Sequence, residues 1–147
     1  ADPGDVVARR DVVTDPAAIA ERMRFRQTLN HPTVVFRASA VHAAGGYLDL
    51  PSLEDYLLFA RMIQAGARVG NVAEPLLLYR VGEGAYARRG GLGLLRSELA
   101  LQRRFRAMGF TNAPQSARNV LVRGVYRVVP EGVRRTAYRK VFARDAD

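Results

Sequence analysis

Short runs of β-branched residues and leucine within the first 80 positions constrain the fold of this chain more than any other feature. The segments 5–14, 33–37, 68–72 and 75–81 each have the composition and length of one or two short β-strands. Such runs are too scattered to close a sheet of ordinary size by themselves. We therefore expect either a small domain of mixed α and β structure or a sheet completed by a further segment.

Helix signals lie between these runs and fill the remainder of the chain. Asp15 followed by Pro16 is a typical helix start, and Gly45 with Gly46 is a typical helix end. Apolar residues at helical spacing between positions 53 and 63 predict a further helix. The fold class predicted from the sequence is α/β, with mixed α+β structure in about the first 80 residues and helices afterwards. The predicted helices cover about 15–26, 38–44, 53–66, 92–108, 115–129 and 131–143.

The composition excludes several kinds of chemistry. The 147 residues include no cysteine, which excludes disulfides, cysteine-bound zinc and thiol catalysis. Two histidines are too few for a site built on several histidine ligands. No apolar run approaches the roughly 20 residues that a membrane-spanning helix needs. The formal net charge of +9 predicts attraction to phosphates, nucleic acid or an acidic membrane surface.

The last third of the chain is strongly basic. Eight basic residues and one acidic residue, Glu131, lie between Arg118 and Arg144, interleaved with apolar and aromatic residues. This pattern fits a helix lying on an anionic bilayer, and it fits equally a solvated basic face on packed helices. Nucleic acid would attract the same charges. Because the sequence has no nucleic-acid-binding motif and no evident aromatic stacking platform, we do not expect nucleic-acid binding.

Two adjacent carboxylates, Glu54 and Asp55, stand at the start of the helix predicted near position 53. With Ser52 as the N-cap, Asp55 would occupy the third helical position, where a carboxylate can accept a backbone hydrogen bond. Both acids would also favour the positive end of the helix dipole. Alternatively, a carboxylate fixed at a helix start can act as a general base toward a substrate hydroxyl. Local sequence does not separate these two interpretations.

His31 follows Asn30 at the start of the run 33–37. A single histidine at such a position is most often a structural residue with its hydrogen bonds satisfied. Ligand sites also form where strands begin and end, so a substrate contact is the alternative.

Two glycine-containing segments have both a structural and a functional interpretation. Gly45-Gly46-Tyr47 is either a helix end and turn, or a place where the backbone approaches a ligand closely. Arg88 and Arg89 lie in a glycine-rich stretch, where they are either solvated or suited to gripping a diphosphate.

The order of these segments resembles the C-terminal, acceptor-side half of the family 2 inverting glycosyltransferases, which have the GT-A fold. Asn-His-Pro-Thr, Gly-Gly-Tyr, Glu-Asp followed by an apolar helix, and Pro-Leu-Leu-Leu-Tyr-Arg-Val come in the order found in that family. The resemblance covers about residues 24–110. Within the family the chain is similar to bacterial exopolysaccharide and cell-envelope sugar transferases. It implies a domain at 1–110, the acceptor half of a GT-A-like fold, followed by a basic helical tail at 111–147.

The resemblance implies a role for each candidate residue. Asp55 would be the catalytic base that deprotonates the acceptor hydroxyl, and Glu54 would orient the acceptor or Asp55 itself. The remaining candidates would bind substrate, either along the acceptor side of the cleft or at the nucleotide diphosphate. These substrate-binding candidates are His31, Asn30, Gly45, Gly46, Tyr47, Arg80, Arg88 and Arg89.

The chain also departs from the family pattern. Family 2 enzymes carry a donor-binding half with an Asp-x-Asp motif that holds a divalent metal, Mg or Mn, on the donor diphosphate. No such half precedes the acceptor motifs here, and no metal ligands are identified in this chain. A histidine found in many members soon after Tyr-Arg is also absent, since Val81 and Gly82 follow Arg80. We expect the complete enzyme to use the metal, with a separate donor-binding segment.

These expectations give one function and one alternative. The first is transfer of a sugar, with inversion, from a nucleotide-diphosphate sugar to a glycan or lipid-linked acceptor. It implies a place in the cytoplasm, peripheral to the inner face of the plasma membrane. The alternative is a non-catalytic basic module that binds an anionic membrane surface or another polyanion.

Overall fold

The computed structural model describes residues 12–78 and 91–128, and these residues contain five α-helices. The third helix, α3, contacts α1, α2 and α4, while α4 and α5 pack along each other as an antiparallel hairpin. A single 3-10 turn, His31–Thr33, lies between α1 and α2. The helices are α1 (Pro16–Met23), α2 (Ala38–Ala43), α3 (Glu54–Gln64), α4 (Leu92–Ala107) and α5 (Ala113–Val128).

The predicted α/β fold is wrong, because the described residues contain no β-strand and no sheet. The run 33–37 shows the physical reason. Val34 and Phe36 pack against the helical core, whereas Val35 between them is 96% exposed. Residues 34–37 therefore form an extended segment that packs against the core on one side. Its backbone does not pair with another segment of the described residues, and such pairing is what defines a β-strand.

The other predicted strands are also absent where the structure describes the residues concerned. Residues 12–14, 68–72 and 75–78 are not in strands, and positions 5–11 and 79–81 lie outside the described residues. The sheet of a GT-A-like fold is therefore not shown by this structure. The helix predicted at 131–143 also lies outside the described residues.

Several helix ends form as the sequence predicts. The Asp15 side chain caps α1 by accepting the N–H of Ala18 at 2.7 Å. At the end of α2, Gly45 and Gly46 adopt positive φ angles of 75° and 67°. Their N–H groups donate to carbonyls in the last turn of α2. These signals act within a few residues, which is why the sequence alone reveals them.

The apolar core is built around α3. Tyr56, Leu57, Phe59 and Ala60 are all buried, and side chains of α1 and α4 cover them. The Tyr56 ring meets Phe105 of α4 edge-to-face, with ring centroids 5.2 Å apart. Burying each large side chain of this kind contributes about 1.5–3 kcal/mol. Helix α3 is therefore held on several sides, and its first turn has a fixed position.

A buried polar network joins α4 to α5. Arg123 of α5 forms an ion pair with Glu98 of α4 through two contacts, Nε to Oε1 at 2.8 Å and Nη2 to Oε2 at 2.9 Å. Glu98 is fully buried, and it also accepts a hydrogen bond from Gln102 at 3.1 Å. The side-chain amide of Asn119 donates to the side-chain Oε1 of Gln102 at 3.2 Å. A buried carboxylate needs such partners, because its desolvation is otherwise costly.

The same network holds the segment that follows α1. Three consecutive backbone carbonyls of that segment accept hydrogen bonds from side chains of α3 and α5. Because burial raises the pKa of the Tyr56 phenol, that side chain stays a neutral donor. The three bonds run from Tyr56 to Met23 (2.7 Å), from Asn119 to Arg24 (2.8 Å) and from Arg123 to Phe25 (3.3 Å).

Replacing Arg123 by methionine should lower the free energy of unfolding by about 3–5 kcal/mol, because it leaves the Glu98 carboxylate buried without its cation. Arg103→Met is the matched control, since Arg103 is exposed on α4. Urea unfolding followed by circular dichroism measures both. The control should change stability by less than about 0.5 kcal/mol. Equal effects of the two substitutions would contradict a structural role for the ion pair.

Candidate functional site

Helix α3 begins one residue later than the sequence suggests. Leu53 precedes the helix as its cap residue without a side-chain capping bond, and Glu54 is the first helical residue. The prediction of Ser52 as N-cap is therefore wrong, and Asp55 is the second helical residue. Ser52 has a positive φ of 66° within a turn closed by Leu53 N–H and Leu50 O at 3.0 Å. The buried Leu53 side chain fixes this turn in the core.

The Asp55 carboxylate is held by two donors, one on each oxygen. Its Oδ1 accepts the backbone N–H of Tyr56 at 2.7 Å, and its Oδ2 accepts the side-chain amide of Gln27 at 2.6 Å. The residue is half-buried, so one side of it remains open to solvent. Each carboxylate oxygen can accept two hydrogen bonds, so each oxygen retains the capacity to accept one further donor. Asp55 thus stabilises the helix start and keeps capacity for a ligand.

An aromatic pair lies beside the two carboxylates. His31 Nε2 and Tyr47 Oη are 2.9 Å apart, and the two rings meet edge-to-face with centroids 6.0 Å apart. Partial burial, followed by the negative charges of Asp55 and Glu54, raises the pKa of the Tyr47 phenol. The phenol is therefore protonated at neutral pH, next to the acidic pair. His31, Tyr47, Glu54 and Asp55 come together on one side of α3.

The glycine turn places Tyr47 at this site. Arg61 of α3 donates through Nη1 to the carbonyl oxygen of Gly46 at 3.0 Å. A Cβ atom added to Gly45 would lie 2.5 Å from Arg61 Nη2, so the backbone there approaches an arginine closely. Both glycines also have positive φ angles, which other residues rarely adopt. The turn is thereby fixed to the helix that carries the two acids.

Asn30 directly precedes the 3-10 turn, where its backbone and not its side chain makes the hydrogen bonds. Its carbonyl oxygen accepts the N–H of Thr33 at 2.9 Å and the Thr33 hydroxyl at 2.8 Å. The Asn30 side chain is exposed and makes no capping bond. Arg80, Arg88 and Arg89 lie outside the described residues, so their proposed contacts with a diphosphate stay predictions.

Gln27 is a site residue that the sequence analysis missed. It lies between α1 and the 3-10 turn, where no periodic pattern or motif distinguishes it. Its contact with Asp55 joins positions 28 residues apart. Gln27 also lines a cleft of about 370 Å³ together with Leu53, Val122, Arg123 and Tyr126. The cleft lies against the residue that holds Asp55, and Asp55 itself is not part of its wall.

The divalent metal implied by the resemblance has no ligand set in the part of the chain that the structure describes. Among these residues, no group of three histidine, aspartate or glutamate side chains is arranged to hold a metal ion. Within the same residues, no helix has the length and apolar composition needed to span a bilayer.

Comparison of the sequence with curated proteins identifies relatives of this chain. An uncharacterized glycosyltransferase of Haemophilus influenzae is 37% identical over 97 residues, which is 66% of this chain and 36% of the relative. The amylovoran biosynthesis glycosyltransferase AmsE of Erwinia amylovora is 32% identical over 117 residues, 80% of this chain and 44% of the relative. The chain is homologous to glycosyltransferases.

A third relative has a more specific name. The UDP-Gal:alpha-D-GlcNAc-diphosphoundecaprenol beta-1,3-galactosyltransferase of Escherichia coli is 28% identical over 127 residues, 86% of this chain and 46% of the relative. The chain thus spans less than half the length of each of these curated relatives. No protein-family model and no solved structure matches the chain. The comparisons confirm the glycosyltransferase part of the resemblance and leave the family 2 assignment a prediction.

Proposed function

We propose that this chain supplies the acceptor-side, base-carrying part of an inverting glycosyltransferase. The reaction would move a sugar from a nucleotide-diphosphate sugar to a glycan or lipid-linked acceptor. The observation that carries the proposal is the Asp55 carboxylate at the start of α3, oriented by two donors and half-buried beside His31 and Tyr47. Homology to enzymes named glycosyltransferases supports the same reaction class.

Asp55 acts as the general base in this proposal. An oxygen of its carboxylate takes the proton of the acceptor hydroxyl as that hydroxyl oxygen attacks the anomeric carbon of the donor sugar. The bond between the anomeric carbon and the diphosphate oxygen breaks, and its electron pair leaves with the nucleotide diphosphate. One displacement inverts the configuration at the anomeric carbon. A carboxylate fixed on a helix start suits this role because little reorganisation is needed during the reaction.

The neighbours of Asp55 would bind the acceptor. Glu54 is half-buried on the same helical turn and can accept a hydrogen bond from a second acceptor hydroxyl. Tyr47 is 48% exposed, so its side chain can contact the apolar face of a sugar. His31 holds the Tyr47 phenol and offers its own ring at the edge of the same surface. Gly45 and Gly46 set the position of the Tyr47 backbone.

A lipid-linked acceptor is favoured by one of the relatives. The Escherichia coli enzyme is named for an acceptor attached to diphosphoundecaprenol. An enzyme that uses such an acceptor works at a membrane surface, which agrees with the basic charge of this chain. We infer that the protein acts at the inner face of the plasma membrane.

Replacing Asp55 by asparagine in the full polypeptide should lower kcat for sugar transfer by about 10²–10⁴-fold, because an amide cannot take up the proton. Asp49→Asn is the matched control, since Asp49 is an exposed acid in the loop before α3. Release of nucleotide diphosphate from a panel of nucleotide-diphosphate sugars that includes UDP-galactose measures both variants. Retained turnover by Asp55→Asn would remove Asp55 as the base.

A second candidate function is binding to an anionic membrane surface without catalysis. The observation that favours it is a group of exposed apolar side chains at one end of the α4–α5 hairpin. Gly124 lies against Leu95 there, which brings the start of α4 next to the middle of α5. Arg96 and Arg118 on the same two helices are also exposed, so these helices present both apolar side chains and positive charge. The apolar side chains are Leu92, Leu121, Val122 and Val125.

Sedimentation with phosphatidylglycerol vesicles tests this candidate. The double substitution Leu121→Ser and Val125→Ser should weaken binding by about tenfold or more, because two side chains lose their apolar contact with the bilayer. The matched control replaces Val35 and Val72, which are also exposed but lie outside α4 and α5, by serine. Equal binding of the wild type to neutral phosphatidylcholine vesicles would defeat this candidate.

A further inference from the structure

We propose that Gln27 is a positioning residue for the general base, holding the Asp55 carboxylate in the orientation in which it accepts the proton. This inference rests on the proposed function. Neither the helix start itself nor any residue of the motif set provides this contact. The bond between Gln27 Nε2 and Asp55 Oδ2 is 2.6 Å long and joins the segment after α1 to the first turn of α3.

Two donors define the orientation of the carboxylate. The Tyr56 N–H holds Oδ1 at 2.7 Å, and this bond alone would allow the group to rotate about the Cβ–Cγ bond. The Gln27 amide holds Oδ2, so the plane of the carboxylate is fixed from two directions. With one acceptor position of each oxygen occupied in this way, the remaining positions point in defined directions. Catalysis requires such directions, because proton transfer depends on a close and aligned approach.

Gln27 is itself held firmly in place. On its N-terminal side, the three carbonyls of residues 23–25 accept hydrogen bonds from α3 and α5. On its C-terminal side, Thr28 and Leu29 are buried, and the carbonyl oxygen of Thr28 accepts the side-chain amide of Asn71 at 3.3 Å. A side chain on so well-fixed a backbone can set the geometry of its partner.

The chemistry of an amide suits this role. In residues 12–78 and 91–126, no arginine or histidine forms an ion pair with Asp55, so the oriented carboxylate has no fixed counter-ion there. A guanidinium in place of the Gln27 amide would neutralise the carboxylate and compete with the incoming proton. A neutral amide donor orients the base and leaves its negative charge to be neutralised by the acceptor proton.

A purely structural role predicts a different outcome from a positioning role. If the hydrogen bond only fastens a loop to α3, its loss lowers the free energy of unfolding and leaves kcat unchanged once the protein is folded. If it positions the base, its loss lowers kcat while the KM values for donor and acceptor change little. Measurement of kcat and KM therefore distinguishes the two roles.

The experiment compares the Gln27→Met and Gln64→Met variants of the full polypeptide. Gln27→Met keeps the length of the side chain and removes the donor. Gln64 is the matched control, because it lies at the far end of α3 and donates to the Met108 carbonyl at 2.7 Å. With the nucleotide sugar that the wild type turns over, Gln27→Met should lower kcat by roughly 10–100-fold with unchanged KM, and Gln64→Met should leave both unchanged.

A double variant tests whether Gln27 acts through Asp55. In the Asp55→Asn background, Gln27→Met should cause no further loss of kcat, because the group that Gln27 positions is already inactive. Additive losses would overturn the proposal. If Gln27→Met does not fold, Gln27→Leu provides the same comparison, since it also removes the amide donor and adds no charge beside Asp55.

The outcomes also separate this inference from the proposed function. Wild-type kcat in Gln27→Met together with loss of turnover in Asp55→Asn would overturn the positioning role and leave the base assignment standing. Retained turnover in Asp55→Asn would remove the base itself and, with it, the role of Gln27.

Discussion

The buried ion pair between Arg123 and Glu98 is the interaction on which the rest of the structure depends. A fully buried carboxylate is tolerated only with its partners in place, so α5 can pack against α4 in one register. The same arginine, with Asn119 and Tyr56, holds the backbone after α1. Gln27 lies on that backbone, and its side-chain amide donates a hydrogen bond to Asp55. A polar network far from the candidate site in sequence thereby determines the geometry at its centre.

The helices were largely predictable from the sequence, whereas the predicted strands are absent from residues 12–78 and 91–128. The Asp15 cap and the glycines at 45 and 46 act through bonds to near neighbours, so the sequence specifies them locally. A strand instead requires a partner that local sequence does not reveal. The run 33–37 meets its packing needs by turning Val34 and Phe36 toward the helices, and it remains unpaired. The predicted α/β architecture is wrong because the described residues do not form this backbone pairing.

The roles given to the motif residues stay predictions, and the contacts that support these residues could not be predicted from the sequence. His31, Tyr47, Glu54 and Asp55 come from three separate motifs, and the structure brings all of them to one side of α3. Gln27 and Arg123 carry no local signal, because each acts through a partner distant in sequence. Ser52 was assigned as a cap from residue type alone, whereas the burial of Leu53 decides where the helix begins.

The proposed reaction is a single displacement in which one carboxylate removes the acceptor proton. The anomeric configuration of the newly formed glycosidic bond, determined by proton NMR of the isolated product, tests it most directly. A single displacement predicts a configuration opposite to that of the sugar in the nucleotide donor. A product with the donor's configuration would require a different course of reaction and would contradict the role given to Asp55.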